Sequence, residues 1–227
     1  MANNTNLVQK VEINCDMGEG FGKWKMGPDE ELIKFIDVAN ITCGFHAGDP
    51  KIMLQTVRLA KKNGVKAGAH PGLQDLLGFG RGPMVIDPAK MFAMIIYQVG
   101  ALRAILDFEN VPVYRTKGLD NKKAIYDKPG LMFIKKAYID ILYTKEKKLV
   151  PISPDTMVSI EDIYKKTLSI GRSDTTTDKD GQDLKLGFSG APFSICLHSD
   201  MPTALENAKA CRKAVDELNA NKFPTVG

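Results

Sequence analysis

Ile13-Asn14-Cys15-Asp16-Met17-Gly18-Glu19-Gly20-Phe21-Gly22 decides how the rest of this chain is read. Val11-Glu12-Ile13-Asn14-Cys15 reads as a strand, and it runs directly into a glycine-rich turn that bears Asp16 and Glu19. The same arrangement recurs twice. A strand over 38–43 runs into Gly44-Phe45-His46-Ala47-Gly48-Asp49-Pro50, and Val65-Lys66-Ala67-Gly68-Ala69 runs into His70-Pro71-Gly72. Residues 29–35 have helical spacing. Asp49 reads as a helix N-cap with Pro50 in the first turn, and that helix continues through Met53, Val57 and Ala60 to a stop at Asn63-Gly64. Strands that alternate with helices in βαβ units of about 30 residues predict a parallel sheet covered on both faces, closed as a barrel or doubly wound.

Working outward, a long loop over 73–83 carries Gly78-Phe79-Gly80-Arg81-Gly82. Asp87-Pro88 caps a helix through Met91, Ile95, Val99, Leu102 and Leu106, and 111–114 reads as a fourth strand. Beyond residue 115 the pattern weakens. Helical character is expected over 131–136, a strand over 138–143, a helix over 160–170 and a polar, mobile loop over 173–182. Phe193-Ser194-Ile195-Cys196-Leu197 is a strand that ends in His198-Ser199-Asp200, and a last helix starts at Thr203 and runs through Leu205, Ala208, Cys211 and Val215. With no long linker and no repeat beyond the βα alternation, residues 1–227 are expected to form one domain.

Composition narrows the function classes. Hydrophobic residues make up 44% and charged residues 26%, an ordinary globular balance. The net charge of +4 is spread along helical faces with no basic block interleaved with aromatics, so no nucleic-acid partner is expected. The four cysteines, Cys15, Cys43, Cys196 and Cys211, form no CxxC pair, and most lie in apolar runs. The polar start, the absence of an apolar run near the ~20 residues of a membrane span and the unpaired cysteines predict a cytoplasmic protein.

The chemistry gathers at strand ends. The chain has three histidines, and His46, His70 and His198 each follow an apolar strand at its carboxyl end, where Asp16 and Asp200 also stand. In parallel α/β folds that edge is where loops and helix N-termini converge on ligands. Asp49 is accounted for by capping alone, but it lies at the same edge. Arg81, between two glycines, suits a bidentate clamp on a carboxylate. Such a set either holds a divalent metal that activates water, or works metal-free as general acid and base on an amide or lactam. No serine or cysteine sits in a nucleophile elbow, no P-loop is present, and the glycine turn lacks dinucleotide spacing.

Residues 13–22 resemble the opening motif of the LamB/YcsF lactam-utilisation family, whose bacterial members serve as one component of ATP-dependent 5-oxoprolinase. The resemblance continues through Asn40-Ile41-Thr42-Cys43-Gly44-Phe45-His46-Ala47-Gly48-Asp49-Pro50, Gly68-Ala69-His70-Pro71-Gly72, Gly78-Phe79-Gly80-Arg81 and Tyr97-Gln98-Val99-Gly100-Ala101-Leu102. It extends more loosely to Leu149-Val150-Pro151 and residues 194–202. It implies a seven-stranded, TIM-like (β/α) barrel related to polysaccharide deacetylases. It also implies cleavage of 5-oxoproline to glutamate, with ATP at a shared or partner-dependent site and with partner subunits. The matched positions make Asp16, Glu19, His46, Asp49 and His70 catalytic candidates and Asn14, Asn40, Phe79, Arg81, His198 and Asp200 substrate contacts. The related deacetylases suggest a divalent metal at Asp16, His46 and His70.

The chain departs from the family after the fourth strand. A family Lys-Pro-His-Gly-Ala-Leu-Tyr-Asn segment is replaced by Tyr114-Arg115-Thr116-Lys117-Gly118-Leu119-Asp120-Asn121, without histidine, and family arginines are replaced by Ile141 and Ile152. About 30 residues are missing before Asp140, enough to delete a βα unit and leave the barrel incomplete. Three functions follow as expectations: a cyclic-amide hydrolase, a non-catalytic relative that binds a small carboxylated ligand or partner, and a metal-dependent deacetylase of carbohydrate metabolism.

Overall fold

The computed structural model describes residues 7, 9–112 and 135–223. Five of its strands form one parallel sheet: β1 (Glu12–Met17), β2 (Val38–Thr42), β3 (Lys66–His70), β4 (Lys135–Tyr138) and β7 (Phe193–Leu197), in the order β3-β2-β1-β7-β4. The crossovers run through α1 (Asp29–Leu32), α2 (Pro50–Lys62), α3 (Pro88–Phe108) and α4 (Ile160–Ser173), and α5 (Ala204–Lys222) follows β7. Among the described residues the five strands make an open sheet with β3 and β4 at its edges.

The register separates two chemistries. Ile13, Cys15 and Met17 of β1 share a face with Ala39 and Ile41 of β2, Ala67 and Ala69 of β3, Ala137 of β4, and Ile195 and Leu197 of β7. Those residues pack with Leu32, Val57, Leu102, Ile163, Ala208 and Val215 from the helices to form the core. The opposite face carries Asn14, Asp16, Asn40, Thr42, His70, Lys136, Tyr138, Ser194 and Cys196. Side chains alternate strictly along a strand, so a helix-covered apolar face leaves the other free to hold polar groups. In this sheet the polar face carries the candidate site residues of β1, β2 and β3.

Helix starts follow the sequence. Asp49 accepts from the amides of Lys51 and Ile52, and Asp87 from those of Ala89 and Lys90, with proline in the first turn of both helices. α3 has the length and apolarity of a membrane span, which the sequence reading did not anticipate. Its buried Ile95, Gln98, Leu102 and Leu106 face the rest of the molecule, and Gln98 is bonded to the loop after β3.

Three segments differ from expectation. Lys135 and Lys136, expected in a helix over 131–136, lie in β4, and that strand ends at Tyr138 rather than at 143. The chain turns there because Asp140 is drawn under His198, while the Tyr138 amide donates to the Tyr143 hydroxyl. The expected mobile loop over 173–182 instead contains β5 (Thr175–Thr177), which pairs antiparallel with β6 (Asp183–Lys185). Asp174 fixes that hairpin by accepting from the amides of Gly187, Phe188 and Ser189, contacts too long-range for local pattern to reveal. The rest of the helix expected over 131–136, the second half of the strand expected over 111–114 and the departure at 114–121 lie outside the described residues, and residues 111–112 form no strand.

Candidate active site

At the carboxyl edge of the sheet a cavity of about 690 Å³ is lined by Asp16, Glu19, His46, His70, Phe79, Arg81, Lys136, Tyr138, Cys196 and His198, and closed on one side by 149–152. Asp16 enters from the end of β1 and His70 from the end of β3, with the His70 Nε2 3.5 Å from Asp16 Oδ2. Asn40 Nδ2 donates to Asp16 Oδ1 at 2.8 Å and to Asn14 Oδ1 at 2.8 Å. Asn14 in turn donates to Ser194 Oγ and to the Ile195 carbonyl. A buried amide ladder across three strands therefore fixes the orientation of one carboxylate. Fully satisfied buried networks of this kind hold a unique geometry.

The two carboxylates of the first loop are driven to opposite protonation states. Burial opposes ionisation of Asp16, but the charges of His70, Lys136 and His198 and the Asn40 hydrogen bond outweigh it and hold Asp16 well below the usual carboxylate range. Glu19 is pushed up to about 8 by burial and by the negative charge of Asp16, against the hydrogen bond that Ser199 Oγ donates to its Oε2 at 2.7 Å. The ionised form of Asp16 and the protonated form of Glu19 are thereby favoured, which leaves one carboxylate open to accept a proton and the other able to donate one.

The histidines are positioned by glycines. A Cβ on Gly72 would lie 2.0 Å from His46 Nδ1, and one on Gly80 (φ +67°) would lie 2.7 Å from His46 Cβ. Only bare backbone allows the 70–82 loop to close over His46, which meets His70 edge-on with ring centroids 4.7 Å apart. Gln98 holds the turn from α3 by exchanging two 2.9 Å hydrogen bonds with Gly72.

His198 sits at the end of β7 with its Nδ1 3.0 Å from Asp140 Oδ1, while its amide donates to Asp140 Oδ2. Burial disfavours the imidazolium, but Asp140 outweighs burial and raises His198 to about 9. Tyr138 stacks on the His198 ring. At the rim, Arg81 lies 3.7 Å from Asp200 and over the Phe79 ring.

Most residues singled out in the sequence thus meet in one cavity. Asn14 and Asn40 stand behind Asp16 rather than in the cavity lining, and Asp200 reaches the rim through Arg81. Asp49 is a cap: its Oδ1 takes Lys51 and Ile52, and its Oδ2 takes Gly22. The donor set whose atoms all lie within 4.8 Å of one another is Glu19, His46 and His70, with Glu19 in the place the resemblance gave to Asp16. Lys136 and Tyr138 belong to no matched motif, and Ser199 lies in the loosely matched stretch 194–202; none of the three was expected at the site. Placing the start of β4 at Lys135 would have set Lys136 and Tyr138 on the same face as Asp16.

A parallel α/β sheet with two carboxylates and imidazoles gathered at its carboxyl edge is an arrangement suited to carbonyl chemistry. The sequence profile of the LamB/YcsF family matches residues 11–118 and 120–226, and the chain belongs to that family. It is 38% identical over 246 aligned positions to the lactam utilization protein lamB of Emericella nidulans (94% of this chain, 97% of that one). It is 33% identical to a 5-oxoprolinase subunit of Bacillus subtilis (90% and 92%). The structure of a lactam utilization protein from Thermus thermophilus superposes with a TM-score of 0.77 at 30% identity, covering 92% of this chain and 97% of that one. The aligned length of 246 exceeds the 227 residues of this chain, so the fungal relative carries residues that this chain lacks.

Proposed function

We propose that this chain opens a lactam ring, with 5-oxoproline as substrate and glutamate as product, in a cytoplasmic complex whose partner subunits use ATP. The observation behind this reading is that Asp16, held by Asn40, and Glu19, held by Ser199, line one cavity with His46 and His70, where burial and the Asp16 charge favour the protonated form of Glu19. Lactam hydrolysis needs a water deprotonated as it adds to the carbonyl carbon, and a proton delivered to the ring nitrogen as the C–N bond breaks. Ionised Asp16, fixed by Asn40, accepts the first proton. Neutral Glu19, oriented by Ser199, supplies the second. The relatives named as 5-oxoprolinase subunits support the substrate and the expectation of partners. The test is glutamate formation from 5-oxoproline and ATP, with and without the remaining subunits of the Bacillus subtilis enzyme.

The triad Glu19, His46 and His70 favours a second reading, in which the same site holds a divalent cation. Two imidazoles and a carboxylate with converging donors suit zinc or a similar ion. Bound there, such an ion would polarise the substrate carbonyl. It would also require Glu19 ionised, which removes the acid of the first reading, so the two are exclusive. Metal content of the purified protein, with activity before and after chelation, separates them.

A further inference from the structure

Lys136 reaches the cavity from β4 on the sheet face that carries Asp16 and Cys196, and its Nζ lies 3.9 Å from Cys196 Sγ. The other charges of the cavity are matched. His70 stands against Asp16, His198 against Asp140, and Arg81 against Asp200. Among the described residues, no carboxylate lies within 4.0 Å of the Lys136 ammonium. Asp16 senses its charge from beyond ion-pair distance. Two residues along the strand, Tyr138 lines the same wall, its ring against His198, and its hydroxyl has no hydrogen-bond partner among the described residues. A half-buried ammonium beside a thiol and an unused phenol is costly without an anion.

We propose that Lys136 and Tyr138 form the subsite that holds the carboxylate of a lactam substrate, placing the ring amide toward Asp16 and Glu19. The proposal rests on the lactam reading and deepens it by naming the residues that would select rings bearing a free carboxylate next to the amide. Arg81, the clamp expected from the sequence, stands at the half-exposed rim beside Asp200 and over the Phe79 ring.

Calorimetric titration of the full chain with 5-oxoproline and with 2-pyrrolidinone, the same ring without the carboxylate, tests this. Wild type is expected to prefer 5-oxoproline by tenfold or more. Lys136→Met is expected to erase that preference while 2-pyrrolidinone binding stays unchanged, whereas Lys136→Arg and Arg81→Ala retain it. Tyr138→Phe, which removes one hydroxyl, is expected to weaken 5-oxoproline alone by several-fold, and it reports independently should Lys136→Met fail to fold. A preference that survives Lys136→Met, or that Arg81→Ala abolishes, overturns the subsite, as does an equal effect of Tyr138→Phe on both rings. If neither ring binds, acetate decides: acetate binding lost in Lys136→Met keeps the anion subsite and removes the lactam reading. No acetate binding overturns the subsite as well.

Discussion

His198 Nδ1 lies 3.0 Å from Asp140 Oδ1, and the same aspartate takes the His198 amide on its other oxygen, so one buried carboxylate fixes both the ring and the backbone at the end of β7. The pair joins the turn after β4 to the strand at its side, and it holds a positive charge against the cavity.

That charge makes stability depend on pH. The folded pKa of about 9 lies above the ordinary 6.5, so the stabilisation is complete below pH 6.5 and is lost as pH rises through about 9. It amounts to on the order of 3 kcal/mol. Glu19, raised from 4.5 to about 8, lowers stability in the same direction over its own range. Chemical denaturation across pH 6–10 should therefore show stability falling. Asp140→Asn should remove most of the part due to His198 and bring its imidazole titration, followed by NMR, down from about 9. An unshifted titration in that variant would sink the pairing.

Gly72→Ala places a methyl on the His46 ring, which must move. The expected result is a loss of at least tenfold in turnover with a stability cost of about 1–3 kcal/mol, the usual range for an overpacked site. Turnover equal to wild type would mean that His46 is not held by this contact.

Asn40→Leu removes the donor from Asp16 and leaves Asn14 Oδ1 without Asn40. A cost of about 1–3 kcal/mol is expected for the buried acceptors. The acid limb of the pH–rate profile should also move upward, because Asp16 then ionises less readily. A profile identical to wild type would show that Asp16 does not set that limb.

Much of the edge was legible because strand ends and glycine turns are local signals. His46, His70 and His198 each announce themselves after an apolar run, and the face parity of β1, β2 and β3 follows from alternation alone. What stayed hidden depends on partners distant in sequence. Which of Asp16 and Glu19 is ionised depends on burial and on His70, Lys136 and His198 from other elements, which favour the charged form of Asp16, whose charge then disfavours that of Glu19. Lys136 falls in the stretch of helical character over 131–136, and only pairing with β7 makes its end a strand. Asp49 shows the converse: the cap was read correctly, and the cap occupies the whole side chain.

Asp16 is the proposed base of a lactam-opening site. That role is tested by glutamate formation from 5-oxoproline with ATP and the partner subunits, comparing wild type with Asp16→Asn. The expected result is turnover by wild type and a loss of about 10²–10⁴-fold in a variant that still folds and still binds the ring. Turnover by Asp16→Asn at the wild-type rate, or no glutamate from wild type in the complete mixture, would contradict it.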